Sequence, residues 1–298
     1  MFLFRSNRWS FPKFDLDELS ISLNSANLRP IASAIGIANN PYEDLGGWQS
    51  QVDAERDGGV RDFTQVIDDL IGVRGMARPS ESELEVHIRF LQEGHSHKWN
   101  VNQIVKDFEK KKHLRLTDLS SICDAIILRP YVCKPGKPAH ILEIGGGYGR
   151  LADSLVRNIS KEIEIDMVDV VPSSLLLAYQ YLMKAGLDCQ FDVSTEPHVR
   201  KQITLRGPSE CGSIEDGSVD LAINVESFQE MTQQWVDHWI ELINRVTHLG
   251  SFFYHSNSTG YKNLYTLEMG ANWVIRDSYI HPRHWTSSHR TEIWERIR

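Results

Sequence analysis

The sequence has few cysteines, no long apolar run and no excess of positive charge. Its four cysteines are scattered without a C-x-x-C pair, so their spacing indicates neither a zinc site nor a disulfide framework. The longest apolar runs, such as Ile126 to Leu128 and Leu175 to Ala178, fall far short of the roughly 18 residues of a transmembrane helix. Arg5 and Arg8 interrupt the N-terminus before an apolar signal-peptide core forms. We therefore predict no membrane span, free thiols and a cytoplasmic location.

Basic residues are also too few for a polyanion-binding chain. The 32 Lys and Arg residues are outnumbered by 40 Asp and Glu residues, which gives a formal net charge of −8. A chain of this charge repels polyanions, so the balance disfavours nucleic acid as a partner. With 41% hydrophobic and 24% charged residues the composition is that of a globular protein. The 298 residues correspond to two domains, at roughly 150 residues per domain.

The pattern of apolar residues changes along the chain. In the first part it favours helices, over residues 61–73, 79–94, 102–112 and 117–128. After a turn-rich connector, Lys134 to Pro138, short apolar strands alternate with amphipathic helices, the strands lying at 140–144, 163–170, 219–225, 251–255, 273–280 and 291–297. Such alternation predicts a mostly parallel α/β sheet, with the last two strands as an antiparallel edge pair. We expect a helical N-terminal cap over residues 1–120 and an α/β domain over residues 121–298.

A glycine-rich loop directly follows the first of these strands. The strand 139–144 runs into Gly145, Gly146, Gly147, Tyr148 and Gly149, where the backbone can approach a ligand closely. A Walker A loop ends in Gly-Lys-Ser/Thr, but Arg150 and Leu151 follow here. A dinucleotide loop needs G-x-G-x-x-G, whose third glycine is missing, and Glu143 would lie close to its phosphates. The loop therefore points to a ligand without phosphates.

The segment Glu143 to Gly149 reads E-x-G-x-G-x-G and resembles the first motif of class I S-adenosylmethionine-dependent methyltransferases. The resemblance covers roughly residues 136 to 257. It implies a Rossmann-like sheet of seven strands and S-adenosylmethionine as the cofactor, converted to S-adenosylhomocysteine. It also implies that Glu143 organises the cofactor's ammonium group. The expected cofactor-binding residues are Glu143, Gly145, Gly146, Gly147, Tyr148, Gly149, Asp169, Val170, Asn224 and Val225.

Asp169 follows the second strand of the α/β domain, 20 residues beyond Gly149. A carboxylate offers two acceptor oxygens to the two hydroxyls of a ribose. Dinucleotide sites also bind ribose hydroxyls with an acid at this position, so Asp169 indicates a ribose and not one particular cofactor. Capping the helix that begins after Pro172 is an alternative role for Asp169. Asp166, the competing acid, is expected at the surface or an edge. The segment 215–224 is similar to the turn and fourth strand of the family, and the resemblance brings residues 211–214 near the adenine.

The sequence is similar to a bacterial family described as sugar O-methyltransferases at three segments, residues 142–152, 224–231 and 254–257. The similarity implies methylation of a hydroxyl on a sugar or a glycosylated small-molecule metabolite in natural-product or polysaccharide pathways. Another hydroxyl, a carboxyl or an amine of a natural product is the nearest alternative. A non-catalytic partner subunit that binds the cofactor and an NAD-linked oxidoreductase are the others.

Methylation of a hydroxyl calls for a base that removes its proton. Glu226, Glu230 and His255 follow the fourth and fifth strands, whose carboxyl ends face ligands in open α/β sheets. Each is a candidate catalytic residue, and each has a helix cap or a buried polar contact as its alternative role. The histidine-rich segment His281 to His289 is expected beside the acceptor pocket. Magnesium prefers oxygen ligands and Pro282 breaks helical histidine spacing, so no metal site is predicted.

The N-terminal piece has two alternative roles. It lines the acceptor pocket, with His95, His97 and Trp99 as candidates, or it serves as an oligomerisation surface or purely structural cap. The expected partners are thus a small-molecule acceptor and, in a homodimer, a second copy of the chain.

Overall fold

A computed structural model describes residues 82, 85–89, 116–132, 138–159, 162–192, 202–258, 266–279, 281 and 289–298. Apart from the helical residues 82 and 85–89, they form four helices, eight strands and two 3-10 turns. The helices are α1 (Leu116–Val132), α2 (Arg150–Asn158), α3 (Pro172–Lys184) and α4 (Gln233–Val246). The strands are β1 (His140–Ile144), β2 (Glu164–Val168), β3 (Cys189–Phe191), β4 (Ile203–Arg206), β5 (Val219–Val225), β6 (Thr247–Ser258), β7 (Trp273–Tyr279) and β8 (His289–Arg296). The 3-10 turns are Pro208–Ser213 and Phe228–Glu230.

The strands form one mixed sheet in the order β3-β4-β2-β1-β5-β6-β8-β7. From β3 to β6 all neighbours are parallel, whereas β8 is antiparallel to both β6 and β7. The predicted mostly parallel α/β sheet with an antiparallel final pair is therefore confirmed. The described residues contain eight strands instead of the expected seven, because the chain lays down both β3 and β4 between α3 and β5.

The order of the strands creates a crevice at one edge of the sheet. The chain proceeds from β1 to β2 on one side and later places β5 on the other side of β1. Loops that leave β1 and β5 therefore diverge at this point, and ligands of open α/β sheets bind there, beyond the carboxyl ends of the strands. β7 runs in the same direction as β6, so its last residue, Tyr279, lies at this edge too, aligned with Thr291 of β8.

Helices cover both faces of the central strands, which explains why all five side chains of β1 are buried. α1 packs against α2 on one face, where the Ser154 hydroxyl donates a hydrogen bond to the Ser121 carbonyl at 2.9 Å. α4 contributes buried apolar residues, among them Trp235 and Trp239. The carboxyl edge of the central strands is thus positioned by a packed core.

The boundary predicted at residues 120/121 lies inside α1, which packs as one helix on the α/β domain. Residues 82 and 85–89 are helical, within the helix expected over 79–94. The other N-terminal expectations, including His95, His97 and Trp99, fall outside the described residues, and the cap stays a prediction. In the described part of the chain, no helix combines the length and the apolar character needed to cross a membrane.

Candidate functional site

The glycine-rich loop leaves β1 at the crevice and turns sharply into α2. The amides of Gly145 and Gly146 both donate to the Val168 carbonyl at the end of β2, at 2.8 and 3.2 Å. The Gly149 amide donates to the Gly146 carbonyl at 3.0 Å and closes the turn. The loop is therefore held by backbone hydrogen bonds, and it begins at the carboxyl end of a strand as the sequence predicted.

Two of these glycines are required by close packing. A Cβ atom on Gly145 would lie 2.0 Å from Ser227 Oγ, and the backbone φ of 73° there already disfavours a side chain. A Cβ on Gly146 would lie 2.3 Å from Met167 Cγ. The loop after β5 thus presses against the glycine loop from one side and β2 from the other, which fixes the walls of the crevice.

Asp169 links the end of β2 to the glycine loop. Its Oδ2 accepts a hydrogen bond from the Gly147 amide at 2.9 Å, and its Oδ1 accepts one from the Val171 amide at 2.9 Å. Burial raises the pKa of Asp169 to about 6, although the backbone amides of Val171, Gly147 and Val170 oppose the rise. Val171 is the N-cap residue of α3, so Asp169 also bonds the backbone at the start of this helix, and helix capping stays its alternative role.

Glu143 is the most unusual side chain of the edge. It is 4% exposed, and its Oε2 has no hydrogen-bond partner among the described residues. Burial raises its pKa to about 8, the Arg150 charge opposes this rise, and the charges of Asp124 and Asp169 add to it. A buried carboxylate oxygen without a donor is costly, so this position favours a ligand that brings a positive charge or a hydrogen-bond donor.

The remaining predicted cofactor residues lie at the same edge, but some side chains are used within the protein. The Asn224 amide donates to the Ile144 carbonyl at 3.0 Å, and its Oδ1 accepts from the Phe228 amide at 3.1 Å. Tyr148 is buried and packs edge-on against Tyr181, with ring centroids 5.5 Å apart. Asn224 and Tyr148 therefore shape the edge through these contacts, and Val170 and Val225 are half-buried beside it.

The three candidate bases differ in their surroundings. Glu226 has a φ of 55°, the single positive φ among described residues other than glycine, and its Oε2 lies 4.0 Å from Arg150 Nη2. Glu230 ends a 3-10 turn, and its charge contributes to the raised pKa of Asp169. His255 is buried beside Phe228 and Phe253, and burial with the Arg290 charge lowers its pKa to about 3.

Asp166 differs from the sequence expectation of a surface or edge residue. It is buried, and its carboxylate contacts His140 Nε2 at 2.7 Å and accepts a hydrogen bond from Arg206 Nε at 2.8 Å. Burial opposes its ionisation, but these two partners hold the pKa of Asp166 below its ordinary value. The group borders a cavity of about 180 Å³ and forms an internal ion cluster that includes Asp192.

Sequence reasoning missed a buried cluster behind Glu143. The Tyr254 hydroxyl donates to Asp124 Oδ1 at 2.6 Å, and His281 Nε2 lies 3.1 Å from the same oxygen. Glu143, Ile223 and Tyr254 are laterally aligned on β1, β5 and β6, so their side chains point to the same face, which α1 covers. The one signal was an acid within the apolar segment Cys123 to Leu128. The cluster joins α1, β6 and the end of β7 behind the glycine loop.

Replacing Tyr254 with phenylalanine is expected to lower the free energy of unfolding by about 2 kcal/mol, because a fully buried hydrogen bond to a carboxylate is lost. Denaturant unfolding measures the change. The matched control is Tyr131→Phe, whose hydroxyl donates to the Asp277 carboxylate at an exposed position and whose loss we expect to cost under about 1 kcal/mol. If Tyr254→Phe and Tyr131→Phe lower the free energy of unfolding equally, the buried cluster does not stabilise the fold more than an exposed hydrogen bond does.

Among the described residues, no three His, Cys, Asp or Glu side chains come together in a way that could hold a metal ion. The polar groups that the described residues bring to the crevice are backbone amides, carboxylates and the Arg150 guanidinium. These groups suit an organic ligand with hydroxyl, ammonium or carboxylate groups.

No protein-family model and no curated protein matches the chain. Solved structures that are similar to the chain include a geranyl diphosphate methyltransferase in complex with S-adenosylmethionine, at 10% identity and a TM-score of 0.47, covering 75% of this chain and 98% of that one. Another is a S-adenosylmethionine-dependent methyltransferase from Aquifex aeolicus, at 12% identity and a TM-score of 0.44, covering 67% of this chain and 100% of that one. At these identities and TM-scores the similarity by itself assigns neither a ligand nor an activity.

Proposed function

We propose that the chain is a S-adenosylmethionine-dependent methyltransferase acting on a small molecule. The observation that carries this proposal is the orphaned buried oxygen of Glu143 beside a glycine loop, with the Asp169 carboxylate at the end of the next strand. An ammonium group matches the first carboxylate, and a ribose matches the second. Both groups belong to one ligand that carries no phosphates.

The residues of the crevice fit this cofactor. Glu143 would bind the ammonium, Asp169 would accept the ribose hydroxyls, and Gly145 to Gly147 would let the backbone pass close to the amino-acid portion. When bound, the cofactor supplies a methyl group on a sulfonium sulfur. A dinucleotide would instead bring phosphates towards Glu143, where like charges repel.

The acceptor we propose is a hydroxyl of a sugar or a glycosylated metabolite, which rests on the sequence resemblance at residues 142–152, 224–231 and 254–257. Of the three candidate bases, Glu226 and Glu230 fit proton removal better than His255. A histidine with a pKa of about 3 holds a transferred proton poorly near neutral pH, whereas its neutral ring can still donate or accept a hydrogen bond. The cytoplasmic location and the homodimer stay predictions from the sequence.

Calorimetry with S-adenosylhomocysteine and with NAD tests the cofactor. We expect micromolar binding of the former and none of the latter at the same concentrations. Absence of S-adenosylhomocysteine binding, or preference for NAD, would overturn the proposal. A mass-spectrometric screen for a gain of one methyl group, with sugars, glycosylated metabolites and their aglycones as acceptors, then identifies the acceptor. Binding without any turnover across this panel would favour the non-catalytic partner subunit.

A further inference from the structure

Arg150 occupies a distinctive position at the crevice. It is the first residue of α2, directly after Gly149 of the loop. Its Nη1 donates to the Thr117 carbonyl at the start of α1, and its Nη2 lies 4.0 Å from Glu226 Oε2. The guanidinium therefore lies between the start of α1 and the loop after β5, with its side chain 16% exposed.

The guanidinium and the Glu143 carboxylate offer opposite charges at the same end of the sheet. Glu143 is the second-last residue of β1 and Arg150 is the first residue of α2, with Ile144 and the glycine loop between them. The Arg150 charge also opposes the rise that burial causes in the pKa of Glu143. An α-amino acid carries its ammonium and carboxylate on one carbon, so an anion and a cation at the two ends of one glycine loop match both groups.

We propose that Arg150 binds the α-carboxylate of the cofactor's amino-acid portion while Glu143 binds its ammonium. This inference rests on the proposed function and deepens it. A guanidinium presents paired N–H donors that match the two oxygens of a carboxylate, and the N-terminus of α2 adds partial positive charge at the same place.

The ion pair between Arg150 and Glu226 is weak enough for a ligand carboxylate to replace Glu226. At 4.0 Å the contact with Glu226 is too long for a hydrogen bond, and both side chains are partly exposed, at 16% and 29%. Partly exposed ion pairs of this kind contribute little to the free energy of folding. A ligand carboxylate with direct hydrogen bonds would displace Glu226, and Thr117 would keep the guanidinium in position.

Binding assays on ligands that differ only in the carboxylate test the inference. The two ligands are S-adenosylhomocysteine and S-adenosyl-3-thiopropylamine, which lacks the carboxylate. The wild type is expected to bind the first at least about 10-fold more tightly, as a charge-assisted hydrogen bond predicts. Arg150→Gln is expected to weaken S-adenosylhomocysteine binding by about 30-fold and to change binding of the analogue by less than about 2-fold. Arg150→Lys should fall between them, because it keeps the charge but loses the paired donors.

Two further variants serve as controls. Glu226→Gln removes the competing carboxylate and is expected to tighten S-adenosylhomocysteine binding. Arg276→Gln changes an exposed arginine on β7 and is expected to leave both affinities unchanged. Equal weakening of both ligands by Arg150→Gln would show a structural role and overturn the inference. So would equal binding of the two ligands to the wild type, which needs no variant to fold. A wild type that binds neither ligand would instead overturn the proposed function.

Discussion

Replacing Asp169 with alanine is expected to weaken the binding of S-adenosylhomocysteine by about 100-fold. Two hydrogen bonds from ribose hydroxyls to a buried carboxylate account for a loss of this size. Calorimetric titration of wild type and variant measures it. Asp169→Asn keeps one acceptor oxygen but loses the charge, and we expect a smaller loss of about 10-fold.

The same side chain also holds the protein together, so a control must separate the two roles. Asp169 accepts hydrogen bonds from the Gly147 and Val171 amides, and alanine removes both. The 2′-deoxy analogue of S-adenosylhomocysteine makes the separation. Wild type should bind it about 10-fold more weakly than the parent ligand, whereas Asp169→Ala should hardly distinguish the two. If the variant still discriminates as strongly as wild type, Asp169 does not contact the ribose.

Much of the sheet could be predicted because its strands are short apolar runs bounded by turn residues. β1 and β5 coincide with the predicted strands at 140–144 and 219–225. The antiparallel final pair followed from two strands with no helix between them. For β1 and β5 the apolar pattern itself predicts burial on both faces, which a central parallel strand requires.

β3 and β4 were not predicted, because they have little pattern to recognise. β3 has three residues, Cys189–Phe191, and β4 has four, Ile203–Arg206, which end in an arginine. The Arg206 side chain is only 13% exposed, and its charge is balanced by ion pairs with Asp166 and Asp192. Asp166 was placed at the surface for the same reason, since a lone acid in a strand shows its partner only when the neighbouring strand is known.

The site divides in a similar way between local and distant contacts. The glycine loop and Asp169 could be predicted because each directly follows a strand, and Glu143 because it lies two residues before the first glycine. The cluster of Asp124, Tyr254 and His281 could not, because its members lie up to 157 positions apart in sequence and meet only through packing of α1 on the sheet. The same holds for Arg150, whose contacts with Thr117 and Glu226 come from three separate elements.

Cofactor affinity is expected to rise with pH because Glu143 must be ionised to bind an ammonium. Burial raises its pKa to about 8, so the carboxyl of the free protein is largely protonated at neutral pH, next to Arg150, Asp124 and Asp169. Linkage then predicts that the dissociation constant of S-adenosylhomocysteine falls by about 20-fold from about pH 6.5 to about 8.5 and levels off above that. Asp169, with a pKa of about 6, titrates mostly below this window.

The Glu143→Gln variant isolates this effect from titration of the ligand. It should bind more weakly at high pH and show a much flatter dependence, and wild type near pH 7 should release about one proton on binding where the variant releases none. Calorimetry in two buffers of different ionisation enthalpy measures the proton. If the dissociation constant of Glu143→Gln depends on pH as steeply as that of wild type, the titrating group is not Glu143.

The same carboxyl links pH to folding, which gives a readout without any ligand. The unfolded chain loses this proton near the ordinary pKa of 4.5, whereas the folded protein keeps it to about 8. The folded state therefore binds more protons within this range, and the free energy of unfolding must fall as pH rises through it. In Glu143→Gln this part of the decline should disappear. If the free energy of unfolding depends on pH in the same way in wild type and in Glu143→Gln, the Glu143 carboxylate is already stabilised within the protein. The case for an ammonium ligand at this position would then be lost.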